Sequence, residues 1–298
     1  MFTNILMSLA KKIGLQRRIN WYLTKINYSK KFLINGARIR IPSIQGIACD
    51  MTEGWMVELL VNLKKCRPGA FLDVGVNVGQ TLIKVKAIDP DGDYFGLEPN
   101  PVCVNYLQSL IKLNDFKGCT IVPVGIFNRD CILTLDLFSD NAADAMASLV
   151  EDFRPMHKVF SRVLVPVFQF ESIKHILGSK SFGILKIDVE GAELEVVKSL
   201  SELIYRDQPA VIIELLPVHS NDNLFRLDRQ EELERLLVDM GYSIFRVGKA
   251  LGGAYAGLSA VEKIGVHSDL TQCDYVLIPT AQIHNFQSAV HHTRKNAA

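Results

Sequence analysis

The stretch Phe71-Leu72-Asp73-Val74-Gly75-Val76-Asn77-Val78-Gly79-Gln80 constrains this chain more than any other. It opens as a short apolar run of strand length, passes through a turn with Gly75 and Gly79 in it, and continues into a helical pattern from Gln80. Glycine lets a backbone pass close to a ligand where a side chain would block it. A strand that feeds a helix in this way begins a β-α-β unit, and in an open parallel sheet ligands bind beyond the carboxyl ends of the strands. Gly75 and Gly79 are therefore expected to border a pocket.

The rest of the chain repeats the rhythm. Helical patterns are read at 53–65, 80 onward, 101–113, 170–177, 191–204 and 229–240, and apolar strand patterns at 71–75, 93–98, 119–124, 131–138, 162–167, 182–188 and 210–216. This alternation predicts an α/β, Rossmann-like fold with a mostly parallel central sheet covered on both faces. The runs 242–247 and 273–279, on either side of a stretch containing Gly252 and Gly253, are expected to close the sheet as an antiparallel pair. Lys31 to Pro42 reads as a hairpin, because Asn35-Gly36 accepts the positive φ values of a tight turn.

Ahead of Asp50 the chain carries Lys11, Lys12, Arg17, Arg18, Lys25, Lys30, Lys31, Arg38 and Arg40 and no acidic residue. Ile5, Leu6, Leu9 and Ile13 fit one face of an amphipathic helix. Such a helix either rests on an anionic membrane or protein partner or packs as a solvated helix on the main domain. The expected organisation is a helix-and-hairpin extension over 1–49, a ligand-binding domain over 50–283, and a tail over 284–298.

Composition narrows the function classes. With 48% hydrophobic and 22% charged residues in 298, the chain suits a globular core, and a formal charge of +1 supplies no basic field for nucleic acid. Six cysteines are scattered without metal-ligand spacing, which suits reduced thiols. The apolar stretch Phe2 to Ala10 precedes its basic residues, the wrong order for a signal peptide, and no later run approaches the roughly 20 apolar residues of a membrane span. A cytoplasmic protein is expected.

Strand, glycine turn, helix and a later acid, Glu98, also describe a nicotinamide-binding fold. Here, however, Asn77 stands where a second glycine would approach a pyrophosphate, and Gln80 where a third would lie. Asp73 adds a carboxylate, which repels a pyrophosphate and attracts a cationic amino group. S-adenosylmethionine has such a group and no phosphate. Glu98, followed by Pro99-Asn100-Pro101, offers two oxygens to ribose hydroxyls, or else serves as an acid at a helix N-terminus. Gly125, between Val124 and Ile126, is expected to line an adenine.

Asp188 and Glu190 sit where a central strand ends. One is expected to orient an acceptor or receive its proton while the other meets the cofactor, or they serve the following helix as caps. His219, in the loop after the fifth parallel strand, is the histidine candidate for a general base, or a loop residue without a chemical task. Convergence of Asp188, Glu190, Glu214 and His219 would suit Mg or Mn, but no metal is assigned. The loop from Ser139 to Arg162 is expected to close over the acceptor.

Taken together, LDVGVNVGQ, GLEPNP and ILKIDVEGAELEVV (184–197) resemble the successive signatures of the FkbM-type methyltransferases, over roughly Phe71 to Leu216. The resemblance implies a class I methyltransferase fold, S-adenosylmethionine as cofactor at Asp73, Gly75, Asn77, Gly79 and Glu98, and O-methylation of a hydroxyl on a sugar-like or polyketide-like acceptor, a small molecule or glycan. Phe168-Gln169-Phe170-Glu171 departs from the Thr-Leu-Asp-like segment the family pattern carries there. Two rival readings stand beside this one: a nicotinamide-dependent dehydrogenase, and a non-catalytic scaffold working through its basic N-terminus.

Overall fold

Asn35 and Gly36 both take left-handed backbone, with φ of 46° and 79°, so the chain reverses in two residues and pairs β1 (Tyr28–Ile34) with β2 (Ala37–Ser43). The computed structural model describes residues 28–286. The amphipathic pattern at 5–13 and the end of the tail lie outside them. The hairpin is fastened to the main sheet's helices: the Tyr106 hydroxyl donates to the Pro42 carbonyl at 2.9 Å, and the Asn114 amide to the Arg40 carbonyl at 2.7 Å.

The β-α alternation follows the sequence closely. α1 (Trp55–Cys66) leads to β3 (Ala70–Val74), α2 (Gln80–Ile88), β4 (Tyr94–Leu97), α3 (Pro101–Asn114) and β5 (Cys119–Val122). α3 starts where its residues dictate, with proline in the first turn and the Asn100 side chain accepting from the Val102 N–H at 3.0 Å. Further along come α4 (Phe170–Leu177), β9 (Phe182–Ile187), β10 (Ala210–Glu214), α7 (Leu224–Asp239), β11 (Tyr242–Lys249), β12 (Tyr255–Val261) and β13 (Asp274–Pro279). The central sheet has the order β12-β11-β13-β10-β9-β3-β4-β5. Strands β10, β9, β3, β4 and β5 are parallel, and β13, β11 and β12 are antiparallel. Separate apolar layers cover its two faces, one holding Leu72, Leu185 and Ile213 and the other Phe71, Ile184 and Ile212.

Four expectations need correcting. The runs at 131–138 and 162–167 do not join the central sheet; β7 (Cys131–Leu137) and β8 (Ser161–Phe168) pair with each other and with β6 (Gly125–Ile126) in a sheet of three. The helix read over 191–204 is two, α5 (Glu193–Ser199) and α6 (Ser201–Asp207), separated at Leu200. The last helix begins earlier, at Leu224, where the Asn223 side chain accepts from the Arg226 N–H. Between the two closing strands lies a further strand, β12, which pairs with β11. At α4, Gln169 makes no side-chain cap; Asp130 does that work from outside, accepting the Gln169 N–H at 2.7 Å and the Ser172 hydroxyl at 2.6 Å. No helix among the described residues is long and apolar enough to cross a membrane.

Candidate active site

The parallel strands end on one edge of the sheet, and the ends of β4, β3, β9 and β10 present Glu98, Gly75, Asp188 and Glu214 in that spatial order. Neighbouring strands lie about 4.8 Å apart, so three spacings put roughly 14 Å between the first and last of these positions. A cavity of about 310 Å³ runs along the edge and all four residues line it.

Gly75 and Gly79 both have φ of 88°, and Asn77 between them has φ of 48°. Their tasks differ. A Cβ on Gly75 would lie 1.8 Å from the Asp188 carbonyl oxygen, so this glycine lets the ends of β3 and β9 close together beside the cavity. A Cβ on Gly79 would meet Leu107 and Leu110 at 2.8 and 2.9 Å; this glycine seats α2 against α3 and is not on the cavity wall. Asn77 is on the wall, and its backbone N–H donates to Glu98 Oε2 at 2.7 Å. The Asn100 N–H donates to Glu98 Oε1 at 2.7 Å. Burial outweighs these two bonds and pushes the Glu98 carboxyl up to about 7.

Asp73 is placed differently from the sequence expectation. It is fully buried and does not line the cavity. Side chains alternate along a strand, so Asp73 shares the face of Phe71, where the Tyr94 hydroxyl donates to its Oδ2. Its Oδ1 has no hydrogen-bond partner among the described residues. Burial raises this carboxyl to about 6, against the pull of Lys186 and Tyr94. Gly125 does line the cavity, at an apolar end completed by Leu97, Ile126, Leu135 and Leu149.

Asp188 and Glu190 both line the cavity, and both are engaged. Lys186 Nζ donates to Asp188 Oδ2 at 2.8 Å, and Arg154 Nη2 lies 2.5 Å from Glu190 Oε2. Burial first, then the charge of Asp188, pushes the Glu190 carboxyl up. Its φ of 53° is held by the segment between β7 and β8, whose Ser148 hydroxyl donates to the Glu190 carbonyl at 2.7 Å. That segment lies over the cavity, with Ala145, Ala147 and Leu149 on the wall. Within it Asp144 accepts from the N–H groups of Phe138, Ser139 and Met146, while the Asn100 amide reaches the Ala142 carbonyl. His219 is exposed after β10 and does not line the cavity.

Glu53 and Asp274 escaped the sequence reading. Carboxylate oxygens of Glu53, Glu214 and Asp274 come within 4.8 Å of one another, a different group from the Asp188, Glu190, Glu214 and His219 set considered there. Lys84 holds Glu53 at 2.8 Å and Lys249 pairs with Asp274. Glu214 has no hydrogen-bond or ion-pair partner among the described residues; the charge of Asp188 and then burial push its carboxyl up. Its place as the last residue of an apolar strand was a usable signal. Glu53 had none, since it arrives from the approach to α1.

Among the described residues the wall therefore carries six carboxyl groups, Glu53, Glu98, Asp144, Asp188, Glu190 and Glu214, and no lysine, arginine or histidine. Such a wall suits a ligand with positive charge and no phosphate. A mostly parallel sheet with an antiparallel closing strand and this cavity at its carboxyl edge define a Rossmann-like, class I methyltransferase. The profile of the Methyltransferase FkbM domain matches residues 73–244. The chain is 24% identical over 158 residues to Methyltransferase 1 of Beauveria bassiana (strain ARSEF 2860), a match covering 48% of this chain and 63% of that protein, less than two thirds of its length. It is 25% identical over 201 residues to Methyltransferase sdnD of Sordaria araneosa, covering 59% and 74%. A crystal structure of Methyltransferase FkbM from Methylobacillus flagellatus KT aligns with a TM-score of 0.43 at 15% identity, over 70% of this chain and 43% of that one. The chain belongs to the FkbM methyltransferase family.

Proposed function

We propose that this protein methylates a hydroxyl group of a small molecule or glycan of sugar-like or polyketide-like character, with S-adenosylmethionine lying along the carboxyl edge of the sheet. The observation that carries the cofactor's placement is the cavity wall, six carboxylates without a cation. Its apolar end, around Gly125, Ile126, Leu135 and Leu149, takes the adenine, and Glu98 takes the ribose hydroxyls on lone pairs that Asn77 and Asn100 leave open. Asp188, two strands further along, faces the cofactor's ammonium. Bound there, S-adenosylmethionine supplies a methyl group on a positively charged sulfur.

The acceptor enters at the far end, where Glu53 and Glu214 line the wall. Glu214 receives the acceptor's proton as its oxygen takes the methyl group. Asp188 and Glu190 are paired with Lys186 and Arg154, whereas Glu214 is unpaired; the charge of Asp188 and burial keep it protonated in the ligand-free protein, and a cationic cofactor beside it favours the ionised form that takes the acceptor's proton. The segment between β7 and β8 excludes water. Six cysteines, none bonded to another, accord with a cytoplasmic location.

The test is calorimetric titration with S-adenosylmethionine, S-adenosylhomocysteine and NADH, on the wild type and Glu98→Ala. Saturable binding of the first two, lost in the variant, is expected. Preference for NADH, or binding unaffected by the substitution, overturns the placement.

A further inference from the structure

Lys186 is a cation on a central strand of the sheet, only 5% exposed, with carboxylates from several elements close to it. Asp73 on β3 is its register partner, and the Tyr94 hydroxyl of β4 is bonded to Asp73. Asp188 ends its own strand with Oδ2 2.8 Å from the ammonium. On β10 its register partner is Ile212, and Glu214 follows two residues later on the same face. Glu53 approaches from the segment before α1, held by Lys84 of α2, and Asp274 of β13 stands opposite Glu214, held by Lys249 of β11.

Lys84 and Lys249 neutralise Glu53 and Asp274, which leaves Lys186 alone among Asp73, Asp188 and Glu214. Burial by itself would lower the pKa of this lysine, but Asp188, Asp73 and Glu53 more than reverse that and raise it. The ammonium lies beneath the cavity and is absent from its wall, so it touches no ligand. It takes one oxygen of Asp188 and leaves the other uncommitted to any described residue, while the Asp188 side chain remains on the wall.

We infer that Lys186 is a positioning residue for the cofactor, clamping Asp188 from beneath so that its free oxygen meets the cationic end of S-adenosylmethionine. The inference rests on the cofactor reading above. Lys186→Met strands Asp188 and Asp73 without their cation and costs stability whatever the lysine's role, so affinity is read on folded protein, where a lysine with only a packing role would leave it unchanged. A clamp makes a different forecast: removing the lysine and removing the Asp188 charge harm the same interaction, and their effects do not add.

The experiment is calorimetric titration of S-adenosylmethionine and S-adenosylhomocysteine into wild type, Lys186→Met, Asp188→Asn and the double variant, from about pH 6 to about pH 9, with folding followed by circular dichroism. Lys186→Met is expected to weaken S-adenosylmethionine binding at least roughly tenfold at every pH tested. The double variant should bind no more weakly than Asp188→Asn. Affinity of Lys186→Met within about threefold of wild type, or additive losses, overturns the inference while leaving the cofactor reading intact. If Lys186→Met does not fold, the comparison of the double variant with Asp188→Asn decides alone: a further tenfold loss on removing the lysine overturns the clamp. A wild-type protein that binds neither ligand overturns the cofactor reading and this inference with it.

Discussion

The backbone N–H of Asn77 points at Glu98 Oε2 from 2.7 Å, so the first turn of the fold directly fixes the acid at the end of the next strand. Asn77 achieves this with a left-handed φ of 48°, while its own Oδ1 accepts the Val78 N–H at 2.7 Å. A residue whose side chain cannot make that local bond holds the conformation less well. Asn77→Ala is expected to lower S-adenosylmethionine affinity about tenfold and stability by about 1–2 kcal/mol, read by titration calorimetry and urea melts. Unchanged affinity would show that Glu98 keeps its aim without this turn.

Gly75→Ala should be far more damaging. The added Cβ would sit 1.8 Å from the Asp188 carbonyl oxygen, in backbone that cannot give without separating β3 from β9. A loss of about 3 kcal/mol or more is expected in urea unfolding, with cofactor binding lost. A variant that melts like wild type would refute this contact.

Arg154 is the partner of a half-buried carboxylate on the cavity wall. In Arg154→Ala, Glu190 keeps its burial and loses its ion pair, so stability is expected to fall by about 3 kcal/mol. The deficit should grow with pH, because a Glu190 without its arginine is tolerated protonated and costly ionised. Limited proteolysis should cut the 139–160 segment faster in the variant. An equal deficit in mildly acidic and mildly alkaline buffer would count against this assignment.

Stability without ligand should itself fall toward alkaline pH. Glu98 is held at about 7 in the folded chain against an ordinary 4.5, so between those values the folded state keeps a proton that the unfolded chain has released. Each pH unit across that window costs about 1.4 kcal/mol, and Asp73, raised to about 6, acts in the same direction. Melting temperature in ligand-free buffer is expected to drop from about pH 5 to about pH 7, and to drop less steeply over that range in Glu98→Gln, where Asp73 still contributes. A rise with pH would contradict the sign.

Much of this was legible in the sequence where one local rule sufficed. The strand-turn-helix at 71–80, the Asn35-Gly36 hairpin, the proline-started helix after Glu98 and the helix at 170–177 each follow from residues within a few positions of one another. The membership of β7 and β8 was not legible, since alternation tells which face of a strand is buried but not which sheet it joins. Asp73 is a near neighbour of Gly75 in sequence, but its alternation with Phe71 turns its carboxylate onto the buried face of the sheet. Lys186 was hidden inside an apolar run, and the meeting of Glu53, Glu214 and Asp274 depends on three distant segments that only tertiary packing brings together.

The absence of any cation on the cavity wall also bears on how a reaction cycle ends. Methyl transfer leaves a thioether where a sulfonium had been, so the spent cofactor carries one positive charge less than the molecule that entered. Walls bearing only carboxylates hold the charged reactant more strongly than the discharged product. With the cofactor placed as proposed, chemistry thereby loosens the electrostatic grip on what it leaves behind.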